Sequence, residues 1–254
     1  MKFVILSLFA GFLAGLESHA APLCFHTSAK QVSLVELYTS EGCSSCPPAE
    51  TWLARQTNSP GLWQNFVPVA FHVDYWNYLG WADRWSDASY SLRQSEYAKL
   101  WHSENIYTPC FVVNGREGGS TFFPHSQPAT SGRDAGLLSV HSLDSNHWDV
   151  VFAPVNFLAG AYEVHAALLA GGIRSEITAG ENSGRTLDHE FVVLDLIRVG
   201  LKNEGTVVKG KFIQNPKPHS AKTLAIAVWI TPGGELMPLQ ATGGWIVPPP
   251  ASLN

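Results

Sequence analysis

Basic charge is sparse in this sequence and never gathers. Sixteen Lys and Arg stand against 21 Asp and Glu, for a formal net charge of −5. Without a Lys/Arg run there is no phosphate-tracking surface, and nucleic acid is not expected as a partner. Methionine is scarcer still. Beyond Met1 only Met237 remains, so a methionine-rich copper relay is not encoded. Only one C-x-x-C occurs, and His72, His102 and His125 are scattered without ligand spacing. A closed zinc site is therefore not expected, and no metal or cofactor is assigned. The chain also lacks G-x-G-x-x-G, P-loop, H-E-x-x-H and G-x-S-x-G motifs, N-x-S/T acceptors and any internal repeat.

What is there reads as globular. The 254 residues are 45% hydrophobic and 15% charged, enough for one large core or two smaller ones. The opening "MKFVILSLFAGFLAGLESHA" has one Lys, an apolar run from Phe3 to Leu16 and a small-residue site at Ser18-His19-Ala20. Residues 1–20 are read as a cleaved secretory signal, an uncleaved anchor being the alternative. The mature chain is then periplasmic or secreted, with no membrane association once the signal is removed. Outside the cytosol, neighbouring cysteines tend to be oxidised. Cys43 and Cys46 are the adjacent pair, and Cys24 and Cys110 either pair with each other or stay free.

The hydrophobic pattern divides the rest into two modules. "VSLVELYTS" (32–40) reads as a buried strand, "PPAETWLARQTN" as a helix and "NFVPVAFHVDYW" (65–76) as a second strand. The stretch 80–105 reads as a second helix with Leu92, Tyr97, Leu100 and Trp101 on one face, and "PCFVVNGREGG" as a third strand entering a turn. This order predicts an α/β thioredoxin-like domain over residues 21–130. Gly, Pro, Ser and Thr crowd residues 124–136, marking a loop or boundary. Strand-like runs separated by "GG", "NSG", "NEG" and "PGG" follow, and predict a mostly antiparallel, sandwich-like β module over residues 131–254.

The C-x-x-C admits three readings: a redox pair, a thiolate copper(I) carrier, or a structural clip in a non-catalytic binding or adaptor protein. In the first, Cys43 at a helix start is the nucleophile, its thiolate stabilised by unpaired N–H groups and the positive helix end. Cys46, one turn on, is the resolving thiol. "YTPC" (107–110) stands at the mouth of the third strand, where a thioredoxin-like fold carries a cis-proline beside the redox pair. Pro109 takes that place, and the Thr108 backbone is left to pair with a substrate strand; a trans proline opening a strand is the alternative. Glu36 is a candidate buried acid for the resolving thiol's proton, though its spacing to the first cysteine is one residue longer than in thioredoxins. A solvated or salt-bridged strand residue is the other reading of it. The partner of a working redox pair is a protein thiol or disulfide.

"VELYTSEGCSSCPPAE", "FHVDYWNYLGWADRWS" and "GENSGRTLDHEFVV" together resemble the DUF1223 family of secreted proteins with a thioredoxin-like N-terminal part and no established activity. The resemblance implies that Cys43, Cys46 and Pro109 match a redox pair and cis-proline position. Cys110 departs from the polar residue, such as Gln, usual after that proline. Trp76, Tyr78, Trp81 and Trp85 either wall a substrate groove, with Asp74 and Arg84 as anchors, or cover the core. The segment 180–190 is either a binding loop or a turn in which Asn182, Arg185 and Asp188 bond backbone.

Overall fold

The computed structural model describes residues 22–119, 130–215 and 221–250. The expected signal peptide and residues 124–129 of the expected boundary loop lie outside the described residues. In chain order the first elements are β1 (Cys24–His26), β2 (Ser33–Thr39), α1 (Pro47–Arg55), β3 (Phe66–His72), α2 (Ala88–Leu100), β4 (Cys110–Val113) and β5 (Arg116–Gly119). Then follow β6 (Gly136–Ser142), β7 (His147–Pro154), β8 (Tyr162–Gly171), β9 (Ile173–Glu176) and β10 (Thr186–His189). The last are β11 (Val192–Glu204), β12 (Val207–Ile213), β13 (Thr223–Pro232) and β14 (Gln240–Val247). No described helix is long and apolar enough to cross a membrane.

The expected α/β thioredoxin-like domain followed by a sandwich-like module is corrected. Among the described residues the protein is mostly β, with 46% strand against 13% helix; its two α-helices accompany one mixed sheet of 12 strands, and β9 and β10 pair antiparallel as a separate two-stranded ribbon. The 13-residue strand β11 is what makes the sheet continuous. Its first residue pairs parallel with β3 (Val192↔Ala70), and its last three pair antiparallel with β12. Along its other edge it pairs antiparallel with β8, which carries β13 and then β14. Beyond β3 lie β2, parallel, and then the antiparallel β4 and β5. Beyond β12 lie β7, β6 and β1. Hydrophobic patterning reports which face of a strand is buried, not which strand it joins, so this junction left no periodic signal.

Local chemistry explains the edges of these contacts. Pro68 has no N–H to give to a neighbour on the outer side of β3, and pairing there is confined to Ala70, whose N–H donates to Phe191 O at 2.8 Å. All seven residues of β2 are buried, because it is central and covered on both faces. Helix α1 opens on Pro47 and Pro48, which tolerate a first turn. Helix α2 is capped by Asp87, whose side chain accepts from Ser89 N. It is shorter than the predicted 80–105, and its buried face is Tyr90, Arg93, Gln94 and Tyr97. Leu92 and Leu100, expected inside, are exposed.

One apolar core joins β2, β3 and β4 to the helices and to Trp229 of β13. A second packs Leu138, Val140, Trp148 and Phe152 against Val164 and Val228, so the sheet curls over on itself. Between Trp229 and Thr231 lies the buried His165. Its ring stacks on Trp229 with centroids 5.3 Å apart, and its Nε2 is 3.1 Å from Thr231 Oγ1. Burial first, then the charges of Arg93 and Arg198, push its pKa down to about 3.

The native protein thus keeps His165 neutral while the unfolded chain takes up a proton below pH ~6.5. Stability from this residue is complete above that value and is lost as pH falls toward 3. Read as the difference between the parent and His165→Gln in urea unfolding between pH 5 and 6, this contribution is expected to rise with pH with a slope of about one proton.

Candidate functional site

Cys43 and Cys46 form a disulfide with Cα atoms 5.5 Å apart. Cys43 lies in the turn after β2, where its N–H donates to Ser40 O. Cys46 is the N-cap of α1 and accepts from Ala49 N (2.8 Å) and Glu50 N (3.2 Å). Both cysteines are fully buried, while Ser44 and Ser45 between them are exposed. Thr108 and Pro109 come up beside the pair. The Thr108–Pro109 bond is cis, and Thr108 O lies 3.7 Å from Cys43 Sγ and accepts from Ser45 Oγ at 3.5 Å. Trp76 Nε1 holds Thr108 Oγ1 at 2.7 Å. Cys24 and Cys110 are unpaired: Cys24 is exposed on β1, and Cys110 is buried on β4. Burial pushes the Cys110 thiol up to about 11.

Glu36 is not brought to the cysteines. Along a strand successive side chains alternate faces, so Glu36 and Tyr38 point to the α2 side of β2, while Thr39 points to the α1 side. Arg93 Nε (2.8 Å), Tyr97 Oη (2.6 Å) and Tyr38 Oη (3.0 Å) all donate to the Glu36 carboxylate. This matches the salt-bridged reading of the residue.

On the α1 side a different set of charges surrounds the disulfide. Glu41 precedes it by two residues, and Glu50 follows Cys46 by one helical turn. His72 ends β3, Asp83 lies in the loop before α2, and His189 ends β10. All five are buried. His72 Nδ1 meets Asp83 Oδ2 at 2.7 Å. His189 Nδ1 bonds Glu50 Oε2, and its Nε2 is 3.2 Å from Glu41 Oε1 without the alignment of a hydrogen bond. Thr39 Oγ1 donates to Glu50 Oε1, Trp81 Nε1 to Glu41 Oε2, and Glu41 N to Asp83 Oδ2.

Burial alone would push the imidazoles down and the carboxylates up. Their mutual attraction wins. Glu50, with help from Glu41, pushes His189 up to about 10, and Asp83 raises His72. The same pairs hold Glu50 and Asp83 below the usual carboxylate range. Glu50, His72 and His189 each offer a ligand atom, all within 4.8 Å of one another, and so form a group able to hold a metal ion.

The segment 177–185, which joins β9 to β10, covers the turn. Glu181 Oε2 accepts from Ser44 N at 3.0 Å. Asn182 Nδ2 donates to Glu41 O (2.8 Å) and Cys43 O (2.9 Å), and Arg185 Nη1 secures Asn182 Oδ1 (2.8 Å). The three stretches that carried the family resemblance therefore meet at one place. Sequence reasoning missed Glu41, Glu50, Asp83 and His189 as parts of it, while Asn182 bonds backbone as expected, to Glu41 and Cys43 rather than within its own turn. His72 was visible but isolated, because its companion lies 117 positions away. The indoles of the aromatic stretch are anchored by Thr108, which accepts from Trp76, and by Glu41, which accepts from Trp81. Asp74 instead accepts from Ser91 Oγ, and Arg84 stacks over Trp85.

Two variants separate the two faces of β2. Arg93→Met leaves Glu36 buried without its cation and is expected to cost about 3–5 kcal/mol in urea unfolding, with the rate of Cys43–Cys46 reduction by dithiothreitol unchanged under native conditions. Asn182→Ala strands two carbonyls and loosens the cover. It is expected to cost about 1–3 kcal/mol and to speed the same reduction at least several-fold, followed by mass spectrometry of alkylated thiols.

The chain is similar in fold to two solved structures. One is a protein of Agrobacterium tumefaciens from the Northeast Structural Genomics Consortium, 22% identical, with a TM-score of 0.59 over 89% of this chain and 99% of that one. The other is HBP35 of Porphyromonas gingivalis, 13% identical, with a TM-score of 0.56 over 86% of this chain and 76% of that one. No curated protein matches. The model described as "Protein of unknown function (DUF1223)" matches residues 34–231, and the chain belongs to that family.

Proposed function

We propose that this protein is an exported thiol–disulfide oxidoreductase acting through Cys43 and Cys46 on a protein thiol or disulfide. The observation that carries the reading is the disulfide at the start of α1 with the Thr108 carbonyl 3.7 Å from Cys43 Sγ. In one direction a client thiolate attacks Cys43 Sγ, the Cys43–Cys46 bond breaks, and the electron pair leaves on Cys46. A second client thiolate then attacks the client sulfur of the mixed disulfide and releases Cys43 as thiolate. The client gains a disulfide and loses two electrons, and the protein gains two thiols. The reverse sequence reduces a client.

The surroundings of the pair bear on its potential. A helix start offers N–H groups to a thiolate, but Pro47 and Pro48 have none, Ala49 N is committed to Cys46 O, and Ser44 N to the Glu181 carboxylate. Ser45 Oγ, 3.3 Å from Cys43 Sγ, is left to donate to a Cys43 thiolate; one hydroxyl in place of several N–H groups favours the reducing end of exchanging dithiols. A second reading rests on the complete burial of both sulfurs: the bridge is a structural clip in a binding protein.

A glutathione redox titration of the mature protein with trapped thiols decides between them. The exchange reading expects a midpoint near −270 mV, within the range of about −120 to −270 mV seen for catalytic dithiols, and loss of exchange with a dithiol peptide in a folded Cys43→Ser variant. A bridge that stays closed below about −300 mV, in a parent that exchanges with no peptide, supports the clip.

A further inference from the structure

Within the buried cluster His72 Nε2 has no hydrogen-bond partner, and His189 Nε2 and Glu41 Oε1 face each other at 3.2 Å as an ion pair without the alignment of a hydrogen bond. A buried imidazole nitrogen left unbonded beside a poorly aligned pair asks for a further occupant. We propose that Glu50, His72 and His189, with Glu41 beside them, form a divalent-cation site for a zinc-class ion under the cover of residues 177–185.

The donor set supports the assignment. Two imidazoles with one or two carboxylates suit zinc, whereas calcium and magnesium take oxygen ligands and copper(I) takes sulfur. Zinc bonds of about 2.0–2.2 Å need these atoms to draw together from their present spread of up to 4.8 Å, a matter of side-chain adjustment. The outer partners of a metal site are already in place. Asp83 holds His72 Nδ1 and so turns Nε2 inward, the carboxylate–histidine arrangement that fixes ligand orientation. Thr39 and Trp81 each occupy one oxygen of Glu50 and Glu41; the other oxygens face His189, Glu50 Oε2 bonded to its Nδ1 and Glu41 Oε1 3.2 Å from its Nε2, so an ion bound by both Glu50 and His189 takes the place of the proton they share. The nearby cysteines are not ligands while they are bonded to each other.

The test uses the mature, oxidised protein with Cys24→Ser, because exposed Cys24 Sγ lies 4.0 Å from His141 Nε2 and would collect zinc adventitiously. After stripping with a chelator, zinc chloride alone is titrated by calorimetry, and bound metal is counted after gel filtration. One zinc per chain is expected, with a rise in Tm. Cobalt in its place is expected to show the spectrum of a nitrogen/oxygen site without thiolate charge transfer. His72→Gln removes a ligand and is expected to weaken binding more than 100-fold. Asp83→Asn keeps every ligand and is expected to weaken it about 10–100-fold. Should His72→Gln fail to fold, the parent and Asp83→Asn decide. The proposal is overturned by a folded parent that takes up neither zinc nor cobalt stoichiometrically, or by uptake that survives unchanged in folded variants.

Discussion

Burying a carboxylate costs several kcal/mol unless its charge is met at close range, and this protein buries three beside one disulfide. Glu41, Glu50 and Asp83 are tolerated because His72 and His189 arrive among them from β3 and β10. Much of the surrounding architecture follows from that requirement. The β9–β10 ribbon must lie against α1 to deliver His189. The loop before α2 must fold in to deliver Asp83. Once both are placed, Asn182 and Trp81 reach the backbone and side chain of Glu41. On the opposite face of β2 the same rule is met by Arg93 over Glu36. A single central strand thus separates Glu36, tied to α2, from the three-acid cluster that reaches α1 through Glu50.

The covering of the disulfide and its chemistry pull in opposite directions. Complete burial shields the sulfurs from bulk thiols, and Glu181 brings a negative charge to Ser44. Yet the contacts that close the site are few and local: one carboxylate on one N–H, and one amide on two carbonyls. Such contacts open at a small fraction of the cost of global unfolding.

The sequence was legible where local chemistry decides. The strand at 32–40, the proline-led helix after it, the strand at 65–76 and the strand following Pro109 all lie where residue types place them. The cysteine pairing was readable from adjacency. Partnership across the chain was not. Nothing in Val192–Glu204 announces a strand that joins both halves, because alternation describes one strand's faces and not its neighbours. Helix α2 misled for a related reason. Leu92 and Leu100 invite burial, but the position needed to neutralise Glu36 belongs to Arg93, and the helix turns that face inward. His72 and His189 look unrelated at a separation of 117 residues, and only the sheet brings them together.

The disulfide spans three positions, while the bond from Asn182 to the Cys43 carbonyl spans 139. Closing a short loop is fast and entropically cheap; closing one of more than a hundred residues is neither. As the chain emerges from its N-terminus, Cys43 and Cys46 are therefore in solution long before the ribbon that hides them has been made. Until the cover is made they stand as an open dithiol, and the finished cover then slows their exchange without ending it. The C-terminal half is in this sense a timer, setting how long the cysteines remain available during biogenesis.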